Sequence, residues 1–511
     1  MTNAEDRAGR LAWWALAGLA AMLVLLALAR PLDHDESQYV AAAELARHAL
    51  VYRDFAYLQT PLQPLLFAPL AALFGAWAFP GLRLVNALLG VAVVALVHRG
   101  CRAAGADRRT ALIAAGAFAC CDIVLFSAAV ARNDMVPAAL FAGAVVLMVR
   151  QVRGTGGTAA AAVAIGLLLS AATAAKLSYA LPAIAYGGLA LIDRRHRPGW
   201  LILGALPPAL LVGWTWSAAP GAFVFDVIRF PTAAPEQFYA AGRAWKLALW
   251  ARALDTVKFL ALGPALLAAV LVARDRRRDR LAVLLDVMIV AGLIAAILPA
   301  PTWRQYLLVM LPPLFVRLSL VPALAMPGRS LRAAALVFAV AGLAPSAVTL
   351  AKAIDTGPPL LTAMRDGAAL RTALDRAGVA GPVATLAPQF VPATGRPIDP
   401  RFAAGPFYFR STGLLSPTVA RAFVLLDRSA ALAQLSAAPP AAIVTGGEGG
   451  WTSGDARLDA SLVASAGTGW RATAVAGTPF TLYVRPPAAA PAPAARTAPA
   501  ARHGSAASAP R

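Results

Sequence analysis

The amino-acid sequence predicts an α-helical polytopic membrane protein with a small α/β domain at its C-terminal end. Two properties of the composition support this fold class: the mean hydropathy of the 511 residues is +0.66, and only 14% of them are charged. A soluble chain of this size carries nearer a quarter of charged residues. In addition, apolar runs of about 20 residues, enough to cross about 30 Å of hydrocarbon, recur along most of the chain.

Eleven apolar stretches are predicted to form transmembrane helices. They lie near residues 11–32, 83–98, 110–128, 135–149, 159–173, 177–192, 200–217, 254–273, 281–299, 304–321 and 332–352. Arginines concentrate in alternate loops, those near residues 99–109, 150–153, 194–197, 274–280 and 329. By the positive-inside rule these loops are cytoplasmic. The N-terminus is therefore predicted to be cytoplasmic, and the long segments 33–82 and 218–253 to be external.

The remaining global features exclude several classes. The formal net charge of +21 comes from basic residues in short loops between apolar runs, so we expect no nucleic-acid partner. The three cysteines, Cys101, Cys120 and Cys121, have the spacing of neither a disulfide framework nor a metal site. A cleaved signal peptide is an alternative for the first helix, because Ala27-Leu28-Ala29 resembles a cleavage site, although the apolar run is long for one.

The composition changes after residue 353. Short apolar segments between Gly- and Pro-rich turns, at 382–386, 422–426, 441–444 and 480–484, predict buried strands. The sequence is therefore divided into a membrane module over 1–352, an external α/β domain over 353–487, and a tail over 488–511. Because the tail has almost no large apolar side chains, it is predicted to be disordered.

An acidic cluster, Asp33-His34-Asp35-Glu36, directly follows the first apolar run. Carboxylates at this position stand at the boundary between water and lipid, where a lipid-borne and a water-borne substrate can meet. A helix cap is the alternative, because Asp33 and Glu36 have the spacing of a capping box. A cap leaves Asp35 unexplained, and Asp35 is the residue that we predict to be catalytic.

Three further helix ends on the predicted external face carry ionisable residues. They are the Arg132-Asn133-Asp134 turn, Lys176 within an apolar run, and Arg304 with Tyr306. Ionisable groups at membrane depth are functional candidates by default, and an arginine can bind a phosphate through its planar fork. The alternatives are a helix cap for Asp134, a snorkelling side chain for Lys176 and an interfacial anchor for Arg304.

These residues resemble motifs of the GT-C membrane glycosyltransferases, above all the superfamily of protein mannosyltransferases and aminoarabinose (lipid A) transferases. The similarity covers roughly residues 11–350, and its most specific part is the first loop. The matching segments are Asp35-Glu36-x-x-Tyr39, Tyr52-Arg53-Asp54-Phe55, Gln59-Thr60-Pro61-Leu62, Arg132-Asn133-Asp134, Lys176-Leu177-Ser178-Tyr179, and Arg304-Gln305-Tyr306-Leu307 before Leu311-Pro312-Pro313.

The resemblance implies a multi-pass protein, of the bacterial inner membrane, that transfers a sugar from a polyprenyl-phosphate donor on the external face. Asp35 would act as the general base in an inverting reaction, and Glu36 and Asp134 would orient hydroxyl groups. Residues implied to bind donor or substrate are Tyr39, Tyr52, Arg53, Gln59, Arg132, Lys176, Arg304 and Tyr306. No metal or other cofactor is expected, although paired carboxylates near a phosphate can hold a divalent ion.

Two points stay open at this stage. Many relatives carry Lys-Pro-Pro where this chain has Gln59-Thr60-Pro61, so the cation for the donor phosphate is expected from Arg304, Lys176 or the second long loop. The acceptor is a lipid A, a glycolipid, a polysaccharide or a protein. The alternative function is a lipid-linked oligosaccharide transporter or flippase, which would place polar groups near the bilayer midplane, often in repeats.

Overall fold

The computed structural model describes residues 2–240, 242–448 and 457–485. The helices of the N-terminal part, numbered in chain order, are α1 (Thr2–Ala29), α2 (Glu36–Leu45), α3 (Leu62–Phe74), α4 (Ala78–Ala103), α5 (Arg108–Ala119), α6 (Asp122–Ala128), α7 (Met135–Val152), α8 (Ala159–Ala175), α9 (Ala180–Ile192), α10 (Pro198–Ala218), α11 (Pro220–Val224), α12 (Phe230–Ala240), α13 (Leu249–Ala261), α14 (Ala265–Arg274), α15 (Arg280–Ile297), α16 (Leu311–Leu318), α17 (Pro322–Ala325) and α18 (Arg329–Thr356). The predicted disordered tail, 488–511, lies outside the described residues.

The C-terminal part combines short helices with one sheet. Its helices are α19 (Pro359–Arg376), α20 (Pro406–Arg410), α21 (Pro417–Ala422), α22 (Ala431–Ala437) and α23 (Leu458–Ala466), and its strands are β1 (Val383–Ala384), β2 (Ala442–Thr445), β3 (Arg471–Ala474) and β4 (Thr481–Val484). Turns of 3₁₀-helix lie at Gly75–Trp77, Leu177–Tyr179, Arg194–His196, Ala244–Leu247, Arg304–Met310, Pro388–Phe390, Pro392–Thr394, Pro400–Phe402 and Arg428–Ala430, and a π-helical turn at Phe225–Arg229.

Long apolar helices make this chain an integral membrane protein. Those long and apolar enough to cross a membrane are Leu62–Ala103, Met135–Val152, Pro198–Ala218, Arg280–Ile297 and Arg329–Thr356. Two bent pairs, α5 with α6 at 67° and α13 with α14 at 102°, bring the number from five to seven if each pair is one broken span. Shorter apolar helices cover Trp14–Ala29, Ala159–Ala175 and Leu177–Ile192. The predicted count of eleven crossings is therefore not confirmed.

The predicted external loop 33–82 is largely helical. Its second half, α3, continues through a 3₁₀ turn into α4, so that Leu62–Ala103 forms one apolar helical segment of 42 residues. Pro64 and Pro69 interrupt this run in the sequence. Pro64 falls in the first turn of α3, where the missing N–H costs no hydrogen bond, whereas Pro69 lies inside the helix. The two prolines therefore obscure α3 in the sequence, although the helix accommodates both of them.

The predicted helix 304–321 is two shorter elements. The 3₁₀-helix Arg304–Met310 leads into α16, which has only 8 residues. Pro312 and Pro313 explain the division, because proline fits the first turn of an α-helix and not its interior. The segment of Arg304 and Tyr306 is thus separate from the α-helix that follows it.

Close backbone approach fixes the position of α8. A Cβ atom on Gly166 would lie 1.9 Å from the carbonyl oxygen of Leu201 in α10, and one on Gly204 would lie 1.9 Å from that of Val163 in α8. Small residues at such positions let membrane helices pack backbone against backbone. The first half of α8 is therefore held tightly against the first half of α10, and Lys176 follows the last residue of α8.

The small sheet has the strand order β1-β2-β4-β3, with β1 and β2 parallel and the other pairs antiparallel. Three of the four predicted strands are present. The fourth, predicted at 422–426, is not a strand: Ala422 ends α21, and a turn follows in which Val424 has a φ of 55°. The missed strand, β3, is exposed along its whole length. Because Arg471-Ala472-Thr473-Ala474 has no large apolar side chain, it carries no signal of a buried strand.

The C-terminal domain packs directly on the segment that follows α1. Val40 and Ala41 of α2 share one apolar core with Leu360 of α19 and Val383 of β1. The closest contact is at Gly405, whose φ is 57° and whose added Cβ would lie 2.2 Å from Ser37 Oγ. The predicted boundary at 352/353 falls inside α18, which continues to Thr356.

A carboxyl group is buried in the second long segment, 218–253. Asp226 lies in the π-helical turn, and its Oδ2 accepts a hydrogen bond from the backbone N–H of Tyr57 at 3.1 Å. Burial raises the pKa of Asp226 well above its ordinary value of 3.8, and the bond from Tyr57 opposes this shift only in part. A raised pKa means that the carboxyl contributes stability at low pH, which is lost as the pH rises from 3.8 towards the pKa of the folded state.

Asp226→Asn is expected to raise the midpoint of thermal unfolding at about pH 8 and to change it little at about pH 4, because the amide carries no charge at either pH. The measurement compares unfolding curves of wild type and variant in detergent across this range. Asp54→Asn is the matched control, since its carboxylate is paired with Arg53 and should give no such gain. Equal destabilisation of Asp226→Asn at every pH would contradict the expectation.

Candidate active site

A buried ion pair fixes the end of α1. The guanidinium of Arg83, in α4, donates hydrogen bonds to the backbone carbonyls of Ala27, Arg30 and Pro31 at 2.8, 3.0 and 3.2 Å. It also forms a fork with Glu36, at 2.7 Å to Oε1 and 2.5 Å to Oε2. Both side chains are fully buried. Arg83 thus satisfies carbonyls that the end of a helix leaves unpaired, and it holds α2 against α1 and α4.

The carboxylate of Glu36 has two further partners. Its Oε1 accepts the N–H of Ala131 at 2.6 Å, and its Oε2 accepts the N–H of Asp33 at 2.9 Å. The second bond is the half of a capping box that the sequence predicts. Glu36 therefore links α2 to the backbone at Asp33, to the backbone at Ala131 and to Arg83 of α4. Both of its oxygens accept hydrogen bonds from protein groups. Because both oxygens already have partners, the structure gives no support to the predicted role of Glu36 in orienting a substrate hydroxyl.

Arg132 gathers three carboxylates at one point. Its guanidinium lies 3.0 Å from Asp33 Oδ1 and 3.2 Å from Asp134 Oδ2, and it pairs with Asp35 Oδ2. Lys176 pairs with the other oxygen of Asp134. The side chain of Asp134 is only 2% exposed, whereas that of Asp35 is 18% exposed. Asp134 is thus enclosed between two cations, whereas Asp35, like Asp33, is partly exposed.

The two oxygens of Asp35 have different surroundings. Oδ2 is held by Arg132, and Oδ1 lies 3.2 Å from His34 Nε2. The backbone N–H of Asp35 donates to Asp33 Oδ1 at 2.9 Å, so Asp33 shapes the turn that presents Asp35. Burial acts to raise the pKa of Asp33, but the charges of Arg132 and His34 outweigh it and lower that pKa below its ordinary value. Asp33 therefore stays ionised at neutral pH.

Two tyrosines border the cluster. Burial raises the pKa of Tyr39 well above 10, the nearby charge of Arg132 opposes this shift and that of Asp35 adds to it. The phenol of Tyr39 therefore stays protonated and can donate a hydrogen bond. Tyr306 lies beside Lys176, whose Nζ is 5.5 Å from the centre of the ring. The structure thus brings together Asp35, Tyr39, Arg132, Asp134, Lys176 and Tyr306, as the sequence predicts.

Three of the predicted binding residues have hydrogen bonds within the first loop, and one of them also packs on α11. The hydroxyl of Tyr52 donates to the carbonyl of Gln59 at 2.6 Å, and the Tyr52 ring packs on Phe223. Arg53 is largely exposed and forms a fork with Asp54 at 2.8 Å. These contacts stabilise the loop, and they give no support to a role of Tyr52, Arg53 or Gln59 in binding substrate.

A cavity of about 350 Å³ adjoins the cluster. It is lined by Arg30, Pro31, Leu32, Asp33, His34, Phe126, Arg304 and Thr349. Arg304 donates to Asp122 Oδ2 at 2.8 Å, and Arg30 lies 3.6 Å from Asp122 Oδ1. Arg30 was not among the predicted site residues, because an arginine directly after an apolar run has the appearance of an ordinary membrane anchor.

The C-terminal domain also reaches the site. The ring of Phe407, in α20, lies 5.3 Å from that of His34. The guanidinium of Arg410 stacks on Phe238 and Phe407, with distances of 4.4 and 4.9 Å to the ring centres. Burial lowers the pKa of Arg410, and the charge of Asp35 acts against this shift. Residues of α12 and α20 thus form a second wall of the site, which the sequence patterns did not reveal.

One group of residues has the side chains that a metal ion would need. Ligand atoms of Asp33, His34 and Asp35 lie within 4.8 Å of one another. Arg132 contacts both carboxylates, so each of them already has a cationic partner in the structure.

Comparison with solved structures identifies the architecture. The crystal structure of ArnT from Cupriavidus metallidurans in the apo state superposes with a TM-score of 0.56 and 16% sequence identity, over 93% of this chain and 98% of that chain. The structure of the same protein bound to undecaprenyl phosphate gives a TM-score of 0.54 and 15% identity, over 92% of this chain and 98% of ArnT. The chain has the fold of ArnT. The resemblance to GT-C glycosyltransferases is thus confirmed at the level of the fold.

Other comparisons are weaker. The oligosaccharyltransferase of Archaeoglobus fulgidus, tethered to an acceptor peptide, superposes with a TM-score of 0.48 and 13% identity, over 88% of this chain and 71% of that chain. No protein-family model and no curated protein sequence matches the chain. The likeness to ArnT is therefore one of backbone architecture along nearly the whole length of both chains.

Proposed function

We propose that this protein transfers a sugar from a polyprenyl-phosphate donor to an acceptor hydroxyl on the external face of the membrane, with inversion at the anomeric carbon. The observation that carries the proposal is the position of Asp35. It is a partly exposed carboxylate of a charge cluster whose members Asp33 and His34 line a cavity with two arginines. Support comes also from the fold, which is that of a protein crystallised with undecaprenyl phosphate.

In the proposed reaction, Asp35 Oδ1 accepts the proton of the acceptor hydroxyl. The hydroxyl oxygen forms a bond to the anomeric carbon as the bond from that carbon to the phosphate oxygen breaks. His34, at 3.2 Å from Oδ1, is placed to take the proton onward. The leaving group is a lipid phosphate, and its negative charge needs cations that are already in position. Arg304 meets this need on the side of the cavity.

Buried residues of the cluster have positioning roles in this scheme. Arg132 fixes Asp35 through Oδ2 and leaves Oδ1 for the proton. Asp134 lies between Arg132 and Lys176 and holds both cations at the site. Tyr39 and Tyr306 contribute protonated phenols or ring surface toward the sugar. Glu36 is a structural residue that anchors the turn.

The alternative from the sequence, a lipid-linked oligosaccharide transporter or flippase, is not favoured. A transporter is expected to have its ionisable groups near the bilayer midplane. The groups that meet here lie instead at one set of helix ends, after α1 and α8 and before α7. The fold, furthermore, is that of ArnT.

Mass spectrometry of cell-envelope lipids, glycans and proteins, with and without this protein, tests the proposal. We expect one class of molecule to lose a single sugar residue when the protein is absent, and transfer to be restored by the wild-type chain. The class that changes identifies the acceptor. An envelope that is unchanged in all three fractions, together with no transfer from polyprenyl-phosphate sugars by the purified protein, would contradict the proposal.

Removal of divalent cations is expected to leave sugar transfer unchanged, because Asp33 and Asp35 are both already paired with Arg132. The measurement is the initial rate of transfer after dialysis against EDTA, compared with rates after addition of Mg²⁺, Mn²⁺ or Zn²⁺. A loss of activity that one of these ions reverses would show instead that the three ligand side chains hold a metal.

A further inference from the structure

The cavity beside the cluster contains more positive than negative charge. Arg30 and Arg304 both contribute guanidinium groups to its wall, and both are paired with the single carboxylate of Asp122. Asp33, the acidic residue that lines the cavity, is already paired with Arg132. An anion in the cavity would balance this excess of cations.

The side chain of Arg30 is buried and is fixed by a contact with α18. It is only 6% exposed, and its Nη2 donates to Ser346 Oγ of α18 at 3.3 Å. Its Nε atom is buried and has no hydrogen-bond partner among the described residues of the chain. A buried donor without a partner is costly unless a ligand or water satisfies it. The described residues therefore satisfy the guanidinium of Arg30 only in part, and the residue lines the cavity.

An aromatic ring connects this cavity to the catalytic carboxylate. The guanidinium carbons of Arg304, Arg30 and Arg132 lie 3.6, 5.3 and 5.8 Å from the centre of the Phe126 ring. Arg132 in turn holds Asp35. A phosphate bound by Arg30 and Arg304 is therefore separated from the residue that binds Asp35 by little more than one ring.

The cavity also lies beside a lipid-facing surface. Thr349, which lines it, belongs to α18, and only 11% of the apolar window of that helix is buried inside the protein. Leu25 of α1 and Val348 of α18 are 55% and 54% exposed. An apolar chain attached to a phosphate in the cavity can extend along these two helices without crossing the protein.

We propose that Arg30 and Arg304 together hold the phosphate of the lipid-linked donor in this cavity, with Asp122 fixing both guanidinium groups and the isoprenoid chain lying along α1 and α18. The inference rests on the proposed function and deepens it. Arg30 would thus supply a cation beside Arg304, whereas the segment Gln59-Thr60-Pro61 has no basic residue. Two planar forks provide the paired donors that a phosphate accepts best.

Equilibrium binding of undecaprenyl phosphate to the full-length protein in detergent tests this assignment. We expect Arg30→Gln to weaken binding by about tenfold or more, a loss typical of a charge-assisted contact, and to leave binding of undecaprenol unchanged. Arg30→Lys is expected to be intermediate, because it keeps the charge and loses the fork. Arg47→Gln, which removes an arginine paired with Glu44 away from the cavity, is the matched control.

The same assay distinguishes the other readings. If Arg30 only ties α1 to α18, Ser346→Ala and Arg30→Lys will lower thermal stability and leave affinity for undecaprenyl phosphate at the wild-type value, which would overturn the inference. Full competition by inorganic phosphate or phosphatidylglycerol would also overturn it, by showing a general phosphate site. Where Arg30→Gln does not fold, Arg30→Lys and Arg304→Gln carry the test.

Failure of the inference is separable from failure of the proposed function. Wild-type protein that binds undecaprenyl phosphate no better than undecaprenol would argue against the proposed donor class itself. Wild-type protein that prefers the phosphate, with unchanged affinity in Arg30→Gln and Arg30→Lys, would remove only the role of Arg30.

Discussion

Asp35→Asn is expected to reduce the rate of sugar transfer by about 10²- to 10⁴-fold, the usual contribution of a general base. The amide keeps the shape of the side chain and cannot take a proton from the acceptor. Arg132 retains Asp33 and Asp134 as partners, so the cluster should stay assembled. The measurement is the initial rate with a polyprenyl-phosphate sugar, together with the affinity for undecaprenyl phosphate, which should be little changed.

Two controls make this result specific. Glu44→Gln removes a carboxylate of α2 that is paired with Arg47 and is expected to keep full activity. Asp35→Glu retains a base on a longer side chain and should recover part of the rate. An Asp35→Asn protein with wild-type turnover would show that another group accepts the proton, and His34 would then be the first residue to change.

Arg83→Met is expected to lower the free energy of unfolding by about 3–5 kcal/mol, the usual cost of leaving one partner of a buried ion pair without the other. The substitution leaves the Glu36 carboxylate charged and buried, and it also removes the donors from three carbonyls at the end of α1. The measurement is the yield of folded protein in the membrane and the midpoint of thermal unfolding in detergent.

A second variant separates the ion pair from general packing. Because the two residues are coupled, adding Glu36→Gln to Arg83→Met should recover part of the lost stability. Arg99→Met, at the other end of the same helix and exposed, should change stability by no more than about 0.5 kcal/mol. Equal unfolding temperatures of Arg83→Met and Arg99→Met would show that the ion pair between Arg83 and Glu36 does not stabilise the fold.

The fold class was accessible from the sequence because the hydrocarbon core imposes a local rule on each helix. Apolar length alone therefore located most of the bundle, as in α7 and α15. The rule failed where proline or a short element intervened, as at α3 and at the 3₁₀-helix with Arg304. The rule gives no information about β3, which is exposed and has no large apolar side chain.

Single charged residues of the candidate site were predictable, and the pairs that they form were not. Asp35, Arg132 and Lys176 stand out because charge is rare at membrane depth. Partners within the site are distant in sequence: Arg83 is 47 residues from Glu36, and Arg304 is 182 from Asp122. No local pattern encodes such pairs, so the sequence left Glu36 open between a helix cap and a contact with substrate, and it did not indicate Arg30.

The contact between Gly405 and Ser37 has a consequence for how such a chain can change. Ser37 is two residues from Asp35, and Gly405 approaches it so closely that even a methyl group would collide. A C-terminal domain taken from another chain must therefore reproduce this loop conformation, or it will displace the turn that presents the base. The two parts of the chain are constrained to vary together, and a graft of the C-terminal domain has to keep a glycine at this point.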